Sequence, residues 1–181
     1  ACRGCQLACK QWNALKASQT ENRGTYQNPP TLNANTFLLI HYQDYVDKDG
    51  NVKWLFRKEA CMHCTDAACV TVCPSGALHY NKETKTVGLD HDKCIGCKEC
   101  VAACPFEIPR YDAKTDKVYK CDMCESRITN GLDPACVKAC PTGALKWGLK
   151  EDILKTAAKR VKKLGGDATT YGDKYVKGTH F

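Results

Sequence analysis

The chain has 181 residues, 43% of them apolar, which suffices for a packed core in one domain or two small ones and excludes a disordered chain. A formal charge of +7, from 27 Lys+Arg against 20 Asp+Glu, invites an anionic partner such as nucleic acid, but no basic and aromatic interleaving accompanies it. Fifteen cysteines are the unusual feature, near the level at which cysteine chemistry rather than apolar burial organises a chain.

In chain order, the first element is a cysteine run, Cys2, Cys5 and Cys9. Residues 36–46 and 51–57 then read as the strands of a hairpin turning at Asp47-Lys48-Asp49-Gly50. A calcium loop is excluded there, because Gly50 at its sixth position would put Tyr45 and Phe56 at the first and twelfth. The second run, Cys61, Cys64, Cys69 and Cys73, is followed by Pro74, and apolar and polar residues alternate over 77–90 as in a second hairpin. The third run, Cys94, Cys97, Cys100, Cys104 and Pro105, is the C-x2-C-x2-C-x3-C-P pattern of bacterial ferredoxins letter for letter. The fourth, Cys121, Cys124, Cys136 and Cys140, opens one gap to eleven residues and again closes on proline, Pro141. Beyond it Leu149, Ile153, Leu154, Ala157, Val161 and Leu164 recur at helical spacing up to Gly165-Gly166, the pattern of a docked amphipathic helix with a glycine stop. The segments CVTVCPSGALHY at 69–80 and CVKACPTGALKW at 136–147 align without a gap, and CVAACP at 100–105 is a shorter copy, so one structural unit is used several times.

The spacing suits 4Fe-4S cubanes. Gaps of two residues wrap a tight loop around three corners of a cluster, and small residues such as Gly4 and Gly96 let backbone N–H groups approach the sulfides. The fourth cysteine is expected to start a helical turn and face away, so that it ligates the neighbouring cluster as in two-cluster ferredoxins, with the proline ending the turn. Residues 61–104 then form an inner two-cluster module. Its ligand sets are Cys61, Cys64, Cys69 with Cys104, and Cys94, Cys97, Cys100 with Cys73. The outer runs are left to pair across it, giving Cys121, Cys124, Cys136 with Cys9, and Cys2, Cys5, Cys140 with a cysteine expected two positions upstream of Ala1. Pairing of the first run with the second and the third with the fourth is equally compatible with spacing. Four clusters and sixteen ligands are expected, one ligand preceding the given sequence.

Zinc knuckles also use C-x2-C pairs, but as two pairs with a long spacer, and a disulfide framework would not put so many thiols in one loop. Each cubane with four thiolates carries roughly −2 when oxidised and −3 when reduced, so four would cancel about eight positive charges and remove the motive for nucleic acid. His41, His63, His79, His91 and His180 show no metal spacing and read as surface or packing residues; Trp12 and Trp147 read as packing that excludes water. No nucleophile with a base, nucleotide loop or paired acid site stands out, so no catalytic residue is assigned. No run approaches the 18 apolar residues of a membrane helix, and the first residues do not read as a signal peptide. The chain looks cut at its start and interrupted at Gly178 to Phe181.

The stretches ACRGCQLACKQWN at 1–13, WLFRKEACMHC at 54–64, KCDMC at 120–124 and RITNGLDPAC at 127–136 resemble the iron-sulfur β subunits of molybdopterin oxidoreductases, most closely those of formate dehydrogenase. The resemblance implies pairing of the outer runs and an α+β chain of nested bacterial two-cluster ferredoxin-like modules. The outer module would comprise residues 1–13 and 105–148, the inner one 61–104, with an insertion carrying the hairpin at 14–60 for partner docking and a C-terminal helix and tail at 149–181. It further implies a large tungsten or molybdenum bis-pterin catalytic subunit that interconverts formate and carbon dioxide, an added cytochrome or membrane-anchor subunit, and a periplasmic setting with a cytoplasmic one as alternative. The chain itself would be a non-catalytic electron wire. Polysulfide and dimethyl sulfoxide reductases and some hydrogenases use similar subunits; a free polyferredoxin would have no need of the insertion between Cys9 and Cys61.

Overall fold

The computed structural model describes residues 2–171. Ala1, His180 and the rest of the tail beyond Tyr171 lie outside the described residues. Helix α1 (Gly4–Trp12) carries Cys5 and Cys9 of the first cysteine run, with Cys2 just before it. The antiparallel ribbon of β1 (Leu39–Val46) and β2 (Val52–Glu59) follows, then α2 (Ala68–Thr71), the hairpin of β3 (Leu78–Tyr80) and β4 (Val87–Leu89), and α3 (Glu99–Ala103). A third hairpin, β5 (Arg110–Asp112) with β6 (Lys117–Tyr119), leads to α4 (Glu125–Ile128), α5 (Ala135–Lys138) and α6 (Lys150–Leu164).

The β1–β2 ribbon begins three residues later and ends two later than its alternation suggests. Residues 36–38 are buried coil in the core rather than strand, with an isolated bridge between Asn33 and Thr36. Strand pairing sets Tyr42 opposite Phe56, Asp44 opposite Trp54 and Val46 opposite Val52. Directly paired residues share a face, so Tyr42, Val46, Val52, Trp54 and Phe56 line one side of the ribbon. Tyr26 joins them, its ring 6.0 Å from Tyr42 and 6.4 Å from Trp54. Trp54 is nonetheless 63% exposed, because only the root of the ribbon, Leu39 and Ile40, enters the core. Removing Leu39 from water contributes about 2 kcal/mol.

The β5–β6 hairpin has no counterpart among the expected elements. Its three-residue strands flank Ala113 to Asp116, and the Asp112 carboxylate caps the turn by accepting the N–H of Lys114 at 3.0 Å. The cue in the sequence is the short run Arg-Tyr-Asp and Lys-Val-Tyr about a polar turn, too brief for periodicity to register.

Three apolar clusters form the core, and cysteines belong to two of them. One gathers Ala67, Ala77, Leu78, Val87, Cys94, Cys100 and Val118; another gathers Cys5, Cys9, Phe37, Leu38, Ile40 and Ala60; a third joins Leu32, Leu39 and Ile108. Helices α1 and α5 pack together although some 130 residues of chain separate their starts. The buried Gln6 of α1 ties the insertion down: its amide donates to the Asn28 carbonyl at 2.8 Å, and its side-chain oxygen accepts the Ile40 N–H at 3.4 Å. Helix α6 stops at Gly165 (φ +66°). It is less deeply docked than its pattern suggests, for none of its residues is fully buried and Leu164 stays exposed. Between it and the cysteine loops lies a largely apolar cavity of about 360 Å³ lined by Cys61, Cys136, Trp147, Ile153 and Arg160 among others. Among the described residues no helix is long and apolar enough to cross a membrane.

Candidate metal-cluster centre

The cysteine loops share a backbone device. Within the two-residue gaps the chain turns through positive φ at Arg3 (+57°), His63 (+45°), Gly96 (+68°), Lys98 (+67°) and Met123 (+62°), and Cys124 itself follows at +53°, a conformation that aims successive N–H groups to one side. The N–H two residues beyond a run's leading cysteine then donates to its sulfur: Gly4 to Cys2 at 3.4 Å, His63 to Cys61 at 3.5 Å and Met123 to Cys121 at 3.3 Å. Such bonds favour the thiolate over the thiol.

The helical turn lies one step earlier than expected. Cys69, Cys100 and Cys136, each the third of its run, sit within α2, α3 and α5, and the fourth cysteines, Cys73, Cys104 and Cys140, follow the ends of those helices. Four residues on a helix rise about 6 Å, so a third and a fourth cysteine address two neighbouring places one turn apart. The prolines at 74, 105 and 141 come directly after.

Electrostatic coupling identifies which sulfurs stand together. Cys64 is pushed up to about 11 by burial and then by the neighbouring sulfurs of Cys61, Cys104 and Cys69. Cys69 is likewise pushed to about 11, by burial and then by Cys61 and Cys104. Cys100 reaches about 12 through burial, with Cys69, Cys73, Cys97 and Cys94 adding to it. Cys9 reaches about 12 through burial, with Cys124 and Cys136 adding. Cys124 is raised to about 11 by burial, partly opposed by a backbone bond from Ala135. Burial also raises Cys5, with Cys136 and Cys140 as its sulfur neighbours, and lifts Cys121 well above the ordinary range, with Cys9 and Cys61 as its neighbours. Two closing cysteines go the other way. For Cys140 the backbone bond from Leu145 and the Thr142 hydroxyl lower the thiol; for Cys73 burial is outweighed by the N–H of Leu78 and the Ser75 hydroxyl. The repeated C-P-[ST]-G-A-L turn is thus a cage of donors around the closing sulfur, a role for Ser75 and Thr142 that the repeat signals and that spacing alone does not reveal.

Other expected roles change. Gly96 is also required by chain crossing, since a Cβ there would meet the Asp116 carbonyl at 2.5 Å; at Gly4 a Cβ would make only ordinary contacts at 3.5 and 3.6 Å, the nearer with the Ala139 carbonyl and the other with the Cys2 sulfur. Trp12 does not exclude water, being 44% exposed, and lies under the Arg127 guanidinium 4.5 Å away. Trp147 lines the cavity beside α6. His63 is fully buried, and its Nδ1 accepts the Val87 N–H at 3.1 Å, which fixes that nitrogen as unprotonated. His41 pairs with Glu59, His79 Nδ1 meets the Ala77 carbonyl, and His91 Nε2 meets the Val118 carbonyl.

All fifteen cysteines are free thiols. Among the described residues no three His, Cys, Asp or Glu side chains are gathered for a single metal ion, which would draw thiolates to about 2.3 Å from one centre. Wider groups of soft thiols, with backbone donors aimed at sulfur, suit the donor chemistry of 4Fe-4S cubanes.

A family model described as a 4Fe-4S dicluster domain matches residues 52–150, which hold the second, third and fourth runs. The chain is 39% identical over 183 aligned residues to the nitrate-inducible formate dehydrogenase iron-sulfur subunit of Escherichia coli K12, covering 99% of this chain and 62% of that one. It is 41% identical over 169 residues to the formate dehydrogenase 2 subunit beta (cytochrome c-553) of Nitratidesulfovibrio vulgaris, covering 89% of this chain and 77% of that one. The chain belongs to the 4Fe-4S dicluster family of formate dehydrogenase iron-sulfur subunits. A probable anaerobic dimethyl sulfoxide reductase chain of E. coli K12 is 36% identical over 156 residues, covering 84% of this chain and 69% of that one. The iron-sulfur subunit described here spans 62% of the length of the first E. coli relative. The 4Fe-4S dicluster match and the fifteen cysteines support iron-sulfur clusters in a ferredoxin-like framework of short helices and small antiparallel sheets.

Proposed function

We propose that this iron-sulfur subunit relays single electrons through four 4Fe-4S clusters, between a tungsten or molybdenum bis-pterin catalytic subunit that interconverts formate and carbon dioxide and an external acceptor. The proposed ligand sets are Cys2, Cys5 and Cys140 with one further ligand; Cys9, Cys121, Cys124 and Cys136; Cys61, Cys64, Cys69 and Cys104; and Cys73, Cys94, Cys97 and Cys100. Each cluster, when bound, supplies a site that takes up and gives back one electron.

One observation carries the reading: sulfur neighbours form an unbroken series. Cys5 couples to Cys140 and on to Cys136, Cys9 to Cys136 and Cys124, Cys121 to Cys9 and on to Cys61, Cys64 to Cys61 and Cys104, and Cys100 to Cys69 and on to Cys73, Cys94 and Cys97. The sets fall in that order along a row, with the Cys2, Cys5 and Cys140 site at one end and the Cys94 site at the other. This order favours nested modules, 61–104 inside 1–13 with 105–148, over sequential pairing of runs. The packing of α1 on α5 supports the same nesting.

The chain's own residues bind and insulate. Backbone N–H groups and the Ser75 and Thr142 hydroxyls stabilise thiolates, and the core clusters bury Cys5, Cys9, Cys94 and Cys100, while Cys2 and Cys97 stay exposed. No residue is assigned to substrate chemistry. The aromatic face of the β1–β2 ribbon, within the 14–60 insertion, is the docking surface for the catalytic subunit. A periplasmic setting, reached with that partner, is proposed, and the cytochrome in the printed name of the N. vulgaris relative makes a cytochrome a fitting acceptor. The similarity to a dimethyl sulfoxide reductase chain supports a second reading, the same wire serving another pterin enzyme.

Co-purification with metal analysis tests the proposal. Iron and sulfide are expected near sixteen each per chain, about four per cluster, with tungsten or molybdenum on a bound partner that turns over formate. Zinc in place of iron would overturn it. A partner that reduces sulfoxides but ignores formate would select the second reading.

A further inference from the structure

Lys120 is 4% exposed, between β6 and the fourth cysteine run. Its ammonium donates to the Val87 carbonyl at 2.5 Å and to the Cys121 carbonyl at 2.9 Å. Val87 in turn gives its N–H to the buried ring of His63, in the loop between Cys61 and Cys64. One lysine side chain therefore spans from the fourth run to the hairpin under the second, 33 residues away in sequence. Among the described residues no carboxylate lies within 4.0 Å of its nitrogen. Buried lysines are rare unless a countercharge is near, because two neutral carbonyls only partly replace water around an ammonium. The negative groups at hand are the sulfurs: the lysine acts favourably on Cys69 and reaches the neighbouring site through the Cys121 carbonyl, where the exposed Lys58 also acts favourably on Cys121 and Cys9.

We propose that Lys120 is a tuning residue at the junction of the two middle cluster sites, Cys61/Cys64/Cys69/Cys104 and Cys9/Cys121/Cys124/Cys136, whose buried positive charge raises the reduction potentials of both. The inference rests on the cluster occupancy proposed above. Each reduction adds one electron and no proton, so the cluster charge becomes more negative by one. A fixed cation nearby favours the more negative state, and does so more strongly away from water than at the surface. The end sites differ: their closing sulfurs receive hydroxyl donors from Ser75 and Thr142, which residue 106, a phenylalanine after Cys104-Pro105, cannot supply. The row is thus balanced by hydroxyls at its ends and, in its middle, by the buried ammonium of Lys120 with the exposed one of Lys58 beside Cys9 and Cys121.

The test is a redox titration followed by electron paramagnetic resonance on the purified complex carrying Lys120→Gln, Lys120→Met or Lys120→Arg, with iron and sulfide counted in each. In the glutamine and methionine variants two of the cluster signals are expected to lose about tenfold in reduced-to-oxidised ratio at fixed potential, which is 59 mV for one electron. The others stay in place, and the arginine variant matches wild type. Glutamine retains a donor for Val87, so a shift there reports charge rather than a lost hydrogen bond. Unchanged potentials in a fully loaded glutamine or methionine variant would overturn the proposal, as would an arginine variant shifted as far as methionine. Loss of iron from both neutral variants with normal loading of the arginine form would also overturn it, in favour of a role in assembly. Wild-type protein without iron and sulfide would instead defeat the underlying cluster reading.

Discussion

The Thr142 hydroxyl stands 3.6 Å from the Cys140 sulfur, and the same relationship recurs between Ser75 and Cys73 at 3.7 Å. A hydroxyl that donates to a ligand sulfur withdraws charge from it and makes an added electron less costly. Thr142→Val and Ser75→Ala are each expected to lower the potential of one end cluster while leaving iron content and the middle clusters alone. Potentiometric titration of the two variants checks this, and a shift in any signal other than the one end cluster would contradict the assigned ligand sets.

Gly96 and Gly76 both have positive φ, +68° and +66°, but only Gly96 is hemmed in, by the Asp116 backbone and carboxylate. Alanine at position 76 meets nothing within 4 Å and carries only the left-handed penalty of about 1 kcal/mol. Alanine at position 96 adds overlap with backbone, for a total of about 2–4 kcal/mol. Thermal unfolding of the two variants should rank them so, and Gly96→Ala should also lose the cluster proposed for Cys94, Cys97, Cys100 and Cys73.

Trp54 sits at the centre of the exposed aromatic face formed with Tyr26, Tyr42 and Phe56, with Tyr42 and Phe56 edge to face at 5.4 Å. Aromatic anchors of this kind carry about 2 kcal/mol or more of an interface. Trp54→Ser should therefore weaken retention of the proposed catalytic subunit by about thirtyfold, since about 2 kcal/mol at about 1.4 kcal/mol per tenfold is roughly 1.4 decades. Cluster content should not change, because the ribbon tip lies outside the core. Affinity measured by pull-down at graded concentration decides the matter.

At the ribbon tip the Asp47 carboxylate accepts the N–H of Asn51 at 2.9 Å, faces the Lys53 ammonium at 3.3 Å and accepts the N–H of Asp49 at 3.0 Å. These partners, Asn51 first, hold it below the ordinary carboxylate range although it is solvated. A depressed folded value means that the stabilisation is complete above the ordinary carboxylate pKa, about 3.9, and is lost as pH falls through the lower folded value. Amide protection at Asp49 and Asn51, corrected for the intrinsic exchange rate at each pH, should fall on acidification below about pH 4, and Asp47→Asn should remove that pH dependence.

Much of the site is legible in the bare chain because cluster loops are local. Gaps of two and three residues between Cys94, Cys97, Cys100 and Cys104 state which sulfurs share a turn, and the glycine after Leu164 states where α6 ends. Alternation likewise locates the β1–β2 and β3–β4 hairpins, with ends displaced by two or three residues where 36–38 enter the core as coil. The β5–β6 strands, three residues each, are below what a periodic signal can carry.

What folding alone decides are the meetings between distant segments: Lys120 with Val87, Asp116 against Gly96, Glu125 accepting from Asn81, and the sulfur of Cys121 beside that of Cys61. A two-residue gap constrains its own loop through bond lengths and φ, whereas which loop lies across from it depends on how all three core clusters pack at once. Cysteine spacing therefore determined that there are cluster sites and which residues build each loop. Tertiary packing decided which loops meet, and placed one buried ammonium between the fourth cysteine run and the hairpin under the second.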